Sequence, residues 1–119
     1  MGDHKIIHVE LSAKDRNALS KFYADVFGWE LQHIDEMNYT TFKAGDGVGG
    51  GFNPVTDQNP AGTVTVYIQT DDVTASLNDI QKAGGTIISP EMDIPNTGKF
   101  GIFRDPQGNM LGLFKPYPM

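Results

Sequence analysis

One internal repetition constrains this chain more than any other feature. An acidic residue, a helical apolar stripe, a glycine stop and several short extended segments follow in that order from Asp15, and the order begins again at Asp72. At that offset of 57 residues, Ala18 falls on Ala75, Tyr23 on Ile80 and Gly28 on Gly85. A growing loop then raises the offset, so that Phe42 matches Phe103 at 61 and Phe52 matches Phe114 at 62. Two copies of one supersecondary unit are the economical reading of such a chain.

Local patterns say what each unit contains. His8-Val9-Glu10-Leu11 alternates, so Val9 and Leu11 share one face of a strand while His8 and Glu10 share the other. Asp15 is placed to accept orphan backbone N–H groups at a helix start. Leu19, Phe22, Tyr23 and Val26 then recur at helical spacing as one apolar stripe, and Gly28 closes the helix. Residues 29–52 read as three short strands, broken at Glu36-Met37-Asn38 and at Gly45-Asp46-Gly47. In the second half Thr65 to Gln69 alternates, Asp72 is the cap, and Val73, Leu77 and Ile80 mark the helix. Strands follow over about 86–91, 99–104 and 110–114, the last two joined by an Asp105-Pro-Gln-Gly-Asn109 turn. Each half is therefore βαβββ. The chain is expected to be one α+β domain with modules at about 5–54 and 62–116.

Bulk properties remove several classes of function. A net charge of −6, with nine scattered basic residues, argues against nucleic acid, which needs clustered Lys and Arg. No apolar run approaches the ~20 residues that cross a bilayer, and Met1 to Lys5 lacks the apolar core of a secretory signal. The absence of cysteine excludes disulfides, thiolate metal sites and a cysteine nucleophile. A cytoplasmic protein without membrane or nucleic-acid partners is expected. The glycines from Gly45 to Gly51 precede a strand ending at Phe52 instead of a helix, so they are a weak phosphate signal.

On these residues the chain resembles the vicinal oxygen chelate superfamily of glyoxalase, bleomycin-resistance and extradiol dioxygenase proteins. His8-Val-Glu-Leu11, Phe22-Tyr23, Val26-Phe-Gly-Trp29, Thr70-Asp-Asp-Val73 and Asp105 to Asn109 carry the resemblance. It implies an open, curved mixed sheet, a half-barrel around a cavity, with the helices packed outside. It implies a homodimer. It also implies a divalent metal held by one residue from each of four strands, and it places those positions at His8, Gly50, Thr65 and Gly112. Of these only His8 carries a strong donor.

A catalytic metal takes about three protein ligands. Glycine offers none and a threonine hydroxyl is a poor one, so no metal or other cofactor is expected. Glu10 shares the face of His8, but the pair supplies donors from one strand only. The site expected instead is a small-molecule site for an aromatic or hydrophobic ligand. His8, Glu10, Thr65 and Tyr67 would be its polar contacts, Phe52 and Phe114 its walls, and Gly112 an open part of its surface. The rival reading is an enzyme. That would be a lyase or dioxygenase with an atypical metal site, or a metal-free acid–base catalyst using His8 and Glu10.

Overall fold

The structure is a computed structural model that describes residues 4–118. It divides into two compact units, residues 7–65 and residues 66–118 with the segment 4–6. The first holds β1 (Ile6–Ala13), α1 (Arg16–Phe27), β2 (Glu30–Ile34), β3 (Tyr39–Lys43) and β4 (Gly50–Pro54). Its strands lie in the order β2-β3-β4-β1, with β4 parallel to β1 and the other pairs antiparallel. The second holds β5 (Val64–Gln69) from Val66 onward, α2 (Val73–Lys82), β6 (Thr86–Ile94), β7 (Gly98–Arg104) and β8 (Met110–Pro116). Its order is β6-β7-β8-β5, again with only the last pair parallel. The repeated βαβββ topology is present in full, and the fold class is α+β. No described helix is long and apolar enough to cross a membrane.

The same local chemistry starts both helices. Asp15 Oδ1 accepts from the Ala18 N–H at 3.0 Å, and Asp72 Oδ1 accepts from the Ala75 N–H at 3.0 Å. Each bond satisfies a donor that the first helical turn otherwise leaves unpaired. At the end of α1, Gly28 turns left-handed at φ 71° and returns its N–H to the Ala24 carbonyl at 2.9 Å.

Each helix covers one face of its own sheet. Under α1, Ala13, Phe42 and Phe52 are buried with Leu11, Leu19, Tyr23 and Trp29 packed on them. The rings of Tyr23, Trp29 and Phe42 stack in sequence, with centroids 4.6 and 4.5 Å apart. Under α2, Val73, Leu77, Phe103 and Leu113 are buried against Ile68, Ile80, Ile87 and Leu111.

Two expectations need correction. The first is register. Phe52 lies opposite Leu11 on β1, fully buried in the core under α1, and its counterpart in the other core is Leu113. The repeat offset at this strand is therefore 61, not 62. A slip of one residue exchanges the faces of a strand, so Phe52 and Gly50 belong to the helix side. The second is the face of α1. Ser20 occupies a buried position beside Leu19 and Tyr23, which turns Phe22 and Val26 outward at 52% and 57% exposure.

Candidate functional site

The face of the first sheet opposite α1 is polar. β1 contributes His8 and Glu10, because Val9 and Leu11 are committed to the core. β4 pairs in parallel with β1 so that Gly51 stands opposite Glu10, and Asn53 follows two residues later on the same face. From β3, Phe42 packs into the core, so alternation sends Tyr39 and Thr41 to the polar side.

These residues form one hydrogen-bonded array. The Tyr39 hydroxyl donates to Glu10 Oε2 at 2.9 Å and lies 2.7 Å from His8 Nε2. A phenol has a single proton, and here it goes to Glu10, so His8 Nε2 is the donor in the other bond. Asn53 Nδ2 donates to Glu10 Oε1 at 3.0 Å, and His8 Nε2 lies 3.7 Å from Glu10 Oε2. The histidine and phenol rings are nearly parallel, 15° apart with centroids at 6.4 Å. The His8 side chain keeps 30% of its surface exposed and that of Glu10 keeps 16%, so the array is reachable but largely dry.

Tyr39 is held from both ends. Its ring crosses Gly51, where a Cβ would overlap the hydroxyl and the ring carbons. Its carbonyl accepts from Arg16 Nη1 at 2.7 Å, and the same nitrogen donates to Thr40 Oγ1 at 3.1 Å. Thr40 is fully buried and bonds His33 Nδ1 at 2.7 Å on the helix side of the sheet. Arg16 thereby ties the start of α1 to the strand that presents the phenol.

In the second sheet the face opposite α2 carries Tyr67, Gly112 and Phe114. Tyr67 stands opposite Gly112 across the β5–β8 pair, and Phe114 stands opposite Phe100 across β7–β8. A Cβ at Gly112 would overlap the Tyr67 ring. Thr65, 4% exposed, lies two residues before Tyr67 on the same strand face. The structure thus brings His8 and Glu10 together, and separately Tyr67, Gly112 and Phe114. Phe52 is in neither group, because it is part of the core.

The four positions inferred for a metal do not suit one. Gly50 points into the core, where a Cβ would meet the Val9 carbonyl and the Phe42 ring. The residue that does face the His8 side on β4 is Gly51, and it too lacks a donor. Tyrosine rings cover both Gly51 and Gly112. Among the described residues no group of three or more His, Cys, Asp or Glu side chains is arranged to hold an ion.

A hollow in the first unit lies elsewhere. It measures about 570 Å³ at the start of α1, between Lys14, Arg16, Asn38 and Val55, and does not include His8. That hollow and the polar array lie in different places, and the convergent polar groups of the array are the stronger mark of recognition. Sequence reasoning missed Tyr39, Asn53 and Arg16. Tyr39 and Asn53 were legible in principle, since each sits an odd number of residues from a core phenylalanine on its own strand.

Comparison with known proteins supplies the family context. The family model described as Glyoxalase/Bleomycin resistance protein/Dioxygenase superfamily matches residues 5–113. A Mycobacterium tuberculosis protein that carries the provisional name glyoxylase CFP32 is 39% identical over 101 residues, covering 82% of this chain and 38% of its own. The anthracycline biosynthesis protein DnrV of Streptomyces peucetius is 27% identical, covering 89% of this chain and 45% of its own. The chain thus spans less than half the length of these curated relatives. Among solved structures, methylmalonyl-CoA epimerase from Mycobacterium tuberculosis superposes with a TM-score of 0.74 at 14% identity, covering 95% of this chain and 88% of that one. A hypothetical protein of Bacillus halodurans C-125 gives 0.76 at 10% identity, covering 99% and 98%. At these identities the structural likeness speaks for the fold alone.

Proposed function

Because the chain belongs to the glyoxalase/bleomycin resistance protein/dioxygenase superfamily, we propose that it uses the family scaffold to bind a small organic molecule without a metal centre. The observation that carries this reading is the Tyr39 hydroxyl seated between His8 and Glu10. A chain of donors ending on a carboxylate is polarised in one direction, and groups already held by neighbours lose little entropy when a ligand docks. The parallel rings of His8 and Tyr39 suit a planar or aromatic ligand, with Glu10 accepting from its N–H or O–H groups. On the second sheet, taken by itself, Tyr67, Thr65, Gly112 and Phe114 are the proposed ligand contacts. The protein is proposed to act as a homodimer.

The test is a thermal-shift screen of planar, donor-bearing metabolites and drug-like molecules. A ligand that binds only the folded state raises Tm through RT ln(1 + [L]/Kd). Such a ligand should stabilise the natural protein and lose its effect in Tyr39→Phe and Glu10→Gln. A ligand whose shift survives both substitutions would move the site away from this array.

The same hydrogen-bonded line favours a second reading, metal-free acid–base catalysis. His8 and Glu10 would exchange a proton with the bound molecule, positioned by Tyr39. Conversion of a stabilising ligand to product, abolished by His8→Ala and by Glu10→Gln, distinguishes catalysis from binding.

A further inference from the structure

The Tyr39 hydroxyl serves the array only if its ring stands at one place along the sheet, and the usual holds are weak there. Gly51, which the ring crosses, has no side chain to stop it from sliding. The turn ahead of it, Asp35 to Asn38, is exposed along its whole length. Asn38 closes that turn left-handed at φ 50°, a conformation that costs energy for a residue with a Cβ. Pairing of β3 with β4 covers Thr40 to Phe42 and stops one residue short of Tyr39. On its other side Tyr39 pairs with Ile34 of β2, the last strand of the sheet.

Arg16 supplies a hold from outside the sheet. It is the first residue of α1, whose start is fixed by two bonds of 3.0 Å, from the Ala18 N–H to Asp15 Oδ1 and from the Leu19 N–H to the Asp15 carbonyl. Its side chain is only 19% exposed. The two hydrogens of Nη1 divide between the Tyr39 carbonyl at 2.7 Å and Thr40 Oγ1 at 3.1 Å. Nη2 reaches Asp35 Oδ1 at 3.4 Å, at the head of the same turn. One rigid, planar group thus spans the turn from Asp35 to Tyr39.

The direction of these bonds ties the grip to buried groups. Arginine can only donate, so Thr40 Oγ1 accepts, and the threonine hydrogen goes to His33 Nδ1 at 2.7 Å. Thr40 is fully buried. Loss of Arg16 would take a donor from that buried hydroxyl and from the Tyr39 carbonyl together, and an unmet buried acceptor is relieved by movement of the backbone. Any such movement carries the phenol with it. We infer that Arg16 is a positioning residue for the array: acting through the Tyr39 carbonyl, it sets where the Tyr39 hydroxyl meets His8 and Glu10. This rests on the reading of the array as the binding site and adds the residue that holds its centre in place.

NMR of the His8 imidazole nitrogens in the full chain tests the inference, because they report the bond to Tyr39 with no ligand present. Tyr39→Phe removes that bond and sets the scale of the shift. Arg16→Met should move the same nitrogens in the same direction by most of that amount. Arg16→Met/Tyr39→Phe should move them no further than Tyr39→Phe alone, as expected when one residue acts through the other. Additive shifts in the double variant would overturn the inference, because Arg16 would then act on His8 by its charge. So would a folded Arg16→Met with a lowered Tm and unmoved His8 nitrogens, the mark of a residue that only stabilises the fold. If Tyr39→Phe itself leaves the nitrogens unmoved, the array reading falls and the role of Arg16 with it. Should Arg16→Met fail to fold, Arg16→Gln reads the same contact with an amide too short to reach the carbonyl, and unmoved nitrogens there would overturn the assignment.

Discussion

Tyr39 over Gly51 and Tyr67 over Gly112 make the same arrangement on the two sheets: a phenol ring lies flat where the strand has no side chain. Neither ring could take that place beside a residue with a Cβ, so each glycine is explained by the tyrosine above it. Gly51→Ala and Gly112→Ala should each cost about 1–3 kcal/mol, the range for forcing atoms into a packed space. Urea unfolding measures the loss. An alanine tolerated at Gly51 without loss of stability would mean that Tyr39 has room to move, and the array would lose its rigid centre. At this scale sequence and structure part for a simple reason. Gly50 and Gly51 carry no side chain, so alternation could not choose between two registers for β4, and matching Phe52 to Phe114 chose the wrong one.

The elements themselves were more legible than their faces. Both caps, Asp15 and Asp72, were readable from the residue type and the apolar spacing after them. The structure shows each accepting the expected backbone bond. Asp15→Ala and Asp72→Ala should each lower stability by about 1 kcal/mol in urea unfolding, and an unchanged midpoint would show that the helices start elsewhere. The inward side of α1 was misread because Ser20, a polar residue, occupies a buried position while two larger apolar ones lie outside. Hydropathy alone ranks those residues the other way.

The β7–β8 turn gives an element with a pH signature. The Asn109 side chain, more than any other group, holds the Asp105 carboxyl below its ordinary pKa, with help from the backbone N–H groups of Asn109, Gln107 and Gly108. A carboxyl depressed in the folded state stabilises above its unfolded pKa of about 3.9, and the effect is lost as pH falls through the lower folded value. NMR titration should therefore find Asp105 ionised further into acid than a free aspartate. Asn109→Ala should move its midpoint upward. A midpoint that the substitution leaves unchanged would assign the depression to the backbone instead.

On the scale of the whole molecule, the repetition carried the fold and the family, because helix caps, glycine stops and turn residues are written locally. The site was harder to see. Tyr39 stands 31 residues from His8 along the chain and meets it only through the order of strands. The family scaffold is present, and the metal-free reading proposed above rests on Gly51 and Gly112, each covered by a tyrosine ring where a ligand side chain would have to stand. Elemental analysis of purified protein, natural and His8→Ala, tests this most directly. Both proteins should hold far less than one equivalent of zinc, nickel, manganese or iron. About one equivalent in the natural protein, lost on His8→Ala, would contradict it.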